Sequence, residues 1–216
     1  MKAKRIISTL MALILIVSTV CAAGIVSADA AKSVYSKTIA SRYKESLHSS
    51  SFEIKENRAF FYDFDGNGKK ELVLVEFRNM PDVYGMNSHN LYVYTSANGK
   101  VKTLVNGIQL GSDAGQGSST KIGVAVNKTS GKKYVYAEWK YGGGDPIHLT
   151  TNRYYYTVKG SKISVTHRVK VNQAGDKKTY YINGAKKSKS NHDKWINAYQ
   201  YSIKKDTLKS VYNKTR

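Results

Sequence analysis

Apolar and polar residues alternate with the period of a β-strand along residues 52–182, and short turns divide this run into segments. Tyrosine and β-branched residues dominate the segments, as on pleated, half-buried surfaces. Asn98-Gly99 is a strong hairpin signal, and Lys159-Gly160 and Asn183-Gly184 separate further segments. Strands joined by such short turns pair antiparallel, because parallel strands need long crossovers.

The expected fold is therefore α+β: a mainly antiparallel, twisted β-meander of about nine strands, flanked by an N-terminal and a C-terminal helix that cover one face. A compact barrel or a partial propeller-like sheet would use the same strands. The predicted strands cover residues 52–55, 59–62, 71–77, 91–95, 100–105, 121–126, 133–141, 148–158, 162–171 and 179–182.

Helical periodicity appears on both sides of the strand-rich run. In residues 33–50 an apolar stripe recurs every four positions. Near the C-terminus, Ser190 and Asp193 resemble a capping box that opens a second helix. The predicted core-facing residues are Tyr35, Ile39, Tyr43 and Leu47 in the first helix and Trp195, Ile196, Tyr199 and Ile203 in the second.

Between two predicted strands lies the segment Asp63-Phe64-Asp65-Gly66-Asn67-Gly68-Lys69-Lys70-Glu71. Its side-chain oxygens at loop positions one, three, five and nine can converge on one cation, and Lys69 at position seven is included in the candidate set. Calcium suits these ligands, because it is a hard ion that takes carboxylate and carbonyl oxygens in an adaptable geometry. The candidate metal residues are Asp63, Asp65, Asn67, Lys69 and Glu71.

The segment differs from an EF-hand, since position twelve is Leu74 and cannot supply a bidentate carboxylate. A turn without a metal is the alternative interpretation, because Asp, Asn and Gly are favoured in turns for their own backbone reasons. Four oxygen-bearing side chains at fixed offsets exceed what a turn requires, which favours the cation site.

This segment resembles the Asp-x-Asp-Gly-(Asp/Asn)-Gly-x-x-(Glu/Asp)-Leu calcium loops of FG-GAP and VCBS-type repeats. The run Tyr180-Tyr181-Ile182-Asn183-Gly184-Ala185-Lys186-Lys187-Ser188, followed by a Trp-bearing helix, resembles the ending of small exported proteins of Gram-positive bacteria. Those proteins often carry such a loop near the N-terminus, and they have no agreed activity. The resemblance also includes the strand Leu91-Tyr92-Val93-Tyr94, and it implies a calcium-knit β-hairpin in an extracellular protein.

Residues 1–30 have the organisation of an export signal. The basic residues Lys2, Lys4 and Arg5 precede the apolar block 10–17, and Ala28-Asp29-Ala30 offers small residues to signal peptidase. Cleavage is expected after Ala30, with Val26-Ser27-Ala28 as an alternative site. An uncleaved anchor over residues 6–26 is a second alternative.

The single cysteine, Cys21, lies within this signal. Residues 31–216 therefore offer neither a disulfide framework nor a thiol nucleophile, and we expect them to form a single β-rich domain stabilised by its core.

Loss of the signal changes the formal net charge from +20 to +18, because it removes Lys2, Lys4, Arg5 and Asp29. Residues 166–216 hold 13 Lys and Arg against three acidic residues. Such a field attracts polyanions such as teichoic acids, acidic polysaccharides, phospholipid head groups or nucleic acid. A solvated face that maintains solubility is the alternative, and the preference for Lys over Arg favours it over specific phosphate recognition.

The segment 138–148 is the most enzyme-like part of the sequence. Its triple glycine is followed by Asp145 and His148, and Trp139 and Tyr141 offer stacking surfaces. A wide turn between long strands explains the same residues without chemistry. No histidine pair has a metal-ligand spacing, and no serine lies in a Gly-x-Ser-x-Gly elbow.

The expected function is that of a secreted or cell-wall-associated, calcium-stabilised, non-catalytic binding module. Its partner is an anionic cell-wall polymer or glycan, or a protein, with nucleic acid not favoured, and the module is expected to be a monomer. An envelope-active hydrolase that uses Glu138, Asp145 and His148 is the alternative. The candidate binding residues are Trp139, Tyr141, Asp145, His148, Lys186, Lys187 and Lys189.

Overall fold

The computed structural model of the chain describes residues 28–47, 57–80, 86–113, 119–144 and 147–216. Within these ranges the chain forms eleven strands in two antiparallel sheets and three helices. The elements in chain order are α1 (Ala28–Ser46), β1 (Arg58–Tyr62), β2 (Glu71–Met80), β3 (Met86–Ala97), β4 (Lys100–Asp113), β5 (Ser119–Asn127), β6 (Lys133–Gly143), β7 (His148–Lys159), β8 (Lys162–Ala174), β9 (Lys177–Ile182), β10 (Ala185–Lys187), α2 (Lys189–Asn197), β11 (Tyr199–Lys204) and α3 (Leu208–Asn213).

The strands divide between a four-stranded sheet 1, ordered β1-β2-β3-β4, and a seven-stranded sheet 2, ordered β10-β9-β8-β7-β6-β5-β11. Every strand pair is antiparallel, so the predicted β-rich α+β class is confirmed. The arrangement differs from one meander of about nine strands. Two separate meanders form instead, and β11 returns to pair with β5 at the edge of sheet 2.

Two sheets are needed because the central strands are apolar on both faces. Leu72, Val73, Leu74 and Val75 of β2 are all buried. Because successive side chains of a strand point to opposite faces, each face of β2 requires a covering layer. Val73 and Val75 lie in the core between the two sheets, and Leu72 and Leu74 lie in a second core on the outer side of sheet 1.

The helices cover the outer faces of both sheets. Tyr35 and Ile39 of α1 pack on sheet 1 together with Leu208 and Val211 of α3. Trp195 of α2 packs on the opposite side of the molecule, against the tyrosines on the outer face of sheet 2. The expectation that the terminal helices cover one common face is therefore wrong for α2.

Three sequence-based details of the helices require correction. Leu47 is 52% exposed rather than buried, because the helix ends at Ser46. Ser188 rather than Ser190 caps α2, and its side chain accepts from the backbone N–H of Asn191 at 3.2 Å. Tyr199 and Ile203 belong to β11, not to α2, because pairing with β5 competes successfully with the helical periodicity.

Several sequence-based expectations fall outside the described residues. They concern residues 1–27 of the predicted signal, residues 48–50 of the predicted first helix, the predicted strand at 52–55, and Asp145. None of the helices in the described ranges combines the length and the apolarity needed to cross a bilayer.

The substitution Gly123→Ala tests the pairing of β11 with β5. A Cβ atom at Gly123 would overlap the backbone carbonyl oxygen of Ser202, which cannot move without breaking this pairing. We expect the free energy of unfolding to fall by about 1–3 kcal/mol, the range of overpacked sites, in urea titrations.

Gly143→Ala is the matched control, because a Cβ atom at Gly143 meets no atom within 4 Å. Equal unfolding midpoints for the two variants would contradict the β5–β11 packing.

Candidate metal centre

The segment 63–71 connects β1 to β2 and turns on two glycines. Gly66 and Gly68 have φ values of 76° and 80°, a left-handed conformation that other residues adopt at a cost. Asp63 fixes this turn with both of its carboxylate oxygens. Oδ1 accepts from the Gly66 N–H at 2.8 Å and Oδ2 accepts from the Gly68 N–H at 3.0 Å. The loop is thus wound around its first carboxylate.

The middle of the loop is held by Asp65 and Asn67. The Asn67 N–H donates to Asp65 Oδ1 at 3.2 Å, and the Asn67 side-chain amide donates to Asp65 Oδ2 at 3.0 Å. Asn67 Oδ1 in turn accepts from the Lys69 N–H at 2.7 Å. The candidate residues Asn67 and Lys69 therefore lie in the same hydrogen-bonded turn as the two aspartates.

Glu71, the last candidate ligand, is fully buried. Its Oε2 accepts from the backbone N–H of Phe64 at 3.0 Å, and its Oε1 accepts from Thr95 Oγ1 at 3.2 Å. Burial, with a smaller contribution from the negative charge of Asp65, raises the pKa of Glu71 to about 7, although the hydrogen bonds from Phe64 and Thr95 oppose the shift. A buried carboxylate with a second carboxylate beside it is stabilised either by taking up a proton or by binding a cation.

The three carboxylates converge on one point. One oxygen from each of Asp63, Asp65 and Glu71 lies within 4.8 Å of the others, a grouping that could hold a metal ion. All available ligand atoms in this group are oxygens, the type that hard cations such as calcium and magnesium bind.

Two contacts that the sequence pattern does not indicate attach the loop to sheet 2. Lys133 Nζ donates to the backbone carbonyl of Asp63 at 3.1 Å and lies 5.3 Å from the centre of the Tyr62 ring. The Gly160 N–H, in the turn between β7 and β8, donates to Asp65 Oδ2 at 3.0 Å. The loop therefore joins the end of sheet 1 to two hairpins of sheet 2. Both partners are distant in sequence, so no local signal identifies them.

The candidate binding residues are distributed over different parts of sheet 2. Trp139 and Tyr141 stack with ring centres 3.9 Å apart, and His148 lies exposed where β7 begins. By the strand registers these three side chains point toward the side of sheet 1, as does Lys186 of β10. The structure thus places four of the candidates on one face.

The remaining lysines lie elsewhere. Lys187 points to the opposite face of β10, since it follows Lys186 directly. Lys189 begins α2, and its Nζ donates to Asp193 Oδ2 at 2.6 Å. Asp145 falls outside the described residues.

Glu138 has the contacts of a structural ion pair. It accepts from Arg153 Nε at 2.7 Å, from Lys121 Nζ at 3.0 Å and from the Tyr136 hydroxyl at 2.9 Å. Burial alone would raise the pKa of Glu138, but Arg153 and the hydrogen bonds hold it below its ordinary value. The Glu138 side chain points away from the face that carries Trp139 and His148, so the sheet separates it from them.

Neither family models, nor curated proteins, nor solved structures yielded a match when they were compared with this chain.

The buried carboxylate of Glu71 predicts a specific pH dependence in the absence of divalent cations. Its pKa rises from 4.5 to about 7 on folding, so between these values the folded state binds more protons than the unfolded state. Stability is therefore greatest below pH 4.5 for this group and is lost as the pH rises through 7. The loss is on the order of 3 kcal/mol.

The measurement is the free energy of unfolding in urea and EDTA between pH 4.5 and pH 8, for the natural chain and for Glu71→Gln. The amide keeps the shape of the side chain without titrating, so the difference between the two proteins isolates Glu71. Parallel pH profiles would show that Glu71 does not titrate as described.

Proposed function

We propose that this protein is an exported, calcium-stabilised, non-catalytic module that binds an anionic polymer or a protein of the cell envelope through a basic surface. The convergence of Asp63, Asp65 and Glu71 supports the cation. Residues 166–216 hold 13 Lys and Arg against three acidic residues, and this basic excess is the observation that carries the binding function and supports the anionic partner.

Calcium fits the loop for electrostatic reasons. Three carboxylates that share a small volume repel one another when they are ionised, and one of them is fully buried. A divalent cation would remove this repulsion and would favour the ionised form of Glu71. Because Asp63 and Asp65 also bond to Lys133 and Gly160 of sheet 2, an ordered loop would hold the two sheets together. The proposed role of the ion is therefore structural.

The basic surface fits an anionic partner because its acidic residues are largely neutralised locally. Asp193 forms an ion pair with Lys189 and lies within hydrogen-bond distance of His192 Nδ1, and Asp206 forms an ion pair with Lys214 at 3.2 Å. The exposed lysines that extend from this part of the chain include Lys177, Lys186, Lys205 and Lys209. A surface of this kind attracts polyanions from solution at low ionic strength.

Calcium should stabilise the protein against unfolding. At a concentration a hundredfold above its dissociation constant, it raises the free energy of unfolding by about 2.7 kcal/mol, because it binds only the folded state. Differential scanning calorimetry in calcium and in EDTA measures the shift in Tm. Asp63→Ala should abolish the difference, and Asp65→Asn should reduce it with less disturbance of the turn.

Asp206→Asn is the control for the calcium experiment, because Asp206 pairs with Lys214 and has no part in the loop. If the natural chain melts at the same temperature in calcium and in EDTA, the ion is not part of the protein.

Binding to anionic polymers should weaken steeply with salt. The full chain is mixed with purified cell walls of a Gram-positive bacterium, and the bound fraction is measured across a range of sodium chloride concentrations. Electrostatic binding gives a falling line of log affinity against log salt, since added ions screen exposed charges. Retention that does not change with salt would contradict a basic binding surface.

A further inference from the structure

Sheet 2 extends beyond the sheet that covers it. It has seven strands, whereas sheet 1 has four. The core between the sheets includes side chains of β5, β6 and β7, and within the described residues it receives none from β9 or β10. Among the residues that the structure describes, sheet 1 therefore does not cover the β9 and β10 end of this face.

A row of side chains crosses this face at right angles to the strands. The strand registers align Asn152 of β7, Lys170 of β8, Tyr181 of β9 and Lys186 of β10, so their side chains share one face. Neighbouring strands lie about 4.8 Å apart, which places the backbones of Lys170 and Lys186 about 10 Å apart with Tyr181 between them. A tyrosine ring is therefore flanked by two positive charges.

A second row lies parallel to the first, two residues away from it on each strand that they share. It aligns Tyr141 of β6, Thr150 of β7, Asn172 of β8 and Thr179 of β9. The Thr150 hydroxyl donates to Asn172 Oδ1 at 3.2 Å. These four residues line an open depression of about 670 Å³, together with His148 and Lys177. We call the two rows together the open face.

The aromatic part of the open face is rigid. Tyr141 stacks on Trp139 with an angle of 18° between the rings, and Trp139 is buried beneath it. The indole also lies against the backbone of Gly111 in β4, where a Cβ atom would overlap the ring. Tyr141 is thus held as a flat surface, which lowers the entropic cost of stacking a ligand on it.

The charge of the open face has one sign. The residues of its two rows, and the neighbouring Arg168 and Lys177 on the same face, include four cations and no Asp or Glu. Arg168 lies over the Tyr154 ring at 5.1 Å, which fixes its direction. The face therefore combines cations, tyrosine rings, and amide and hydroxyl groups.

We propose that the open face binds an acidic polysaccharide, a chain of sugars that carries carboxylates. Sugar rings stack on Tyr141 and Tyr181, Lys170 and Lys186 pair with carboxylates, and Asn172, Thr150 and Thr179 bond to sugar hydroxyls. The tyrosine rings and the hydroxyl and amide groups between the lysines suit a chain of sugars, whereas a chain of phosphates alone offers no ring to stack and no hydroxyl to bond. The lysines supply point charges for the carboxylates. This inference rests on the proposed binding function, because it identifies the surface and the class of polymer.

The test compares Lys186 with Lys187, two consecutive lysines of β10 whose side chains point to opposite faces of sheet 2. The full chain is titrated with a galacturonic acid oligomer at low salt, and binding is measured by calorimetry. Lys186→Gln should weaken binding about fivefold and Tyr181→Ala about tenfold, the size of effect expected for one exposed ion pair and one stacked ring. Lys187→Gln makes the same charge change on the other face of β10 and should alter binding less than about twofold.

Tyr181→Phe keeps the ring and should bind within about threefold of the natural chain, so it separates stacking from loss of structure. Equal weakening by Lys186→Gln and Lys187→Gln would overturn the open face as the site and leave the proposed function standing. Absence of binding to galacturonate, polyphosphate and cell walls alike would overturn the proposed function as well. Tighter binding of polyphosphate or an oligonucleotide, lost in Tyr181→Ala, would replace the acidic polysaccharide with a phosphate polymer.

Discussion

The burial of central strands on both of their faces is the constraint on which the rest of this structure depends. Leu72 and Leu74 of β2 face the helices, and Val73 and Val75 face sheet 2, so neither side of sheet 1 can meet water. The same requirement places α2 over the tyrosines of sheet 2. Four layers result, with helices outermost. Because sheet 1 has only four strands, the described part of the chain covers only a portion of its seven-stranded partner on that face.

The loop between β1 and β2 lies where the layers meet, which explains why a buried carboxylate is tolerated there. Glu71 gains hydrogen bonds from Phe64 and Thr95, but desolvation still raises its pKa to about 7. Hydrogen bonds alone therefore do not compensate fully for the burial of the charge. A turn between two strands needs no buried glutamate. Its presence beside Asp63 and Asp65 therefore supports the proposed cation site.

Local signals made much of the fold predictable, and long-range contacts account for what was missed. Asn98-Gly99 and Asn183-Gly184 both have positive φ at each residue, as their hairpin signals require. The division into two sheets was not predictable in the same way, because the core between them joins Val73 to residues such as Val135 that are distant in the chain. Similarly, Tyr199 and Ile203 fit a helical stripe, but they form strand β11 because the backbone of this segment pairs with the edge strand β5. At the candidate site, the spacing of the loop pointed to Asp63, Asp65 and Glu71, whereas only the fold brings Lys133 and Gly160 to it.

The lysines of β10 admit two explanations, and the alternation of the strand separates them. Lysines on an edge strand hinder pairing with another chain, and this protection works whichever face they point to. Lys186 and Lys187 both meet that need. Only Lys186, however, aligns with Tyr181 and Lys170, and edge protection gives no reason for a lysine on β8, which lies two strands inside the edge. A half-buried lysine in the interior of a sheet, next to a tyrosine and an amide, supports the proposal that the charge on this face serves recognition in addition to solubility.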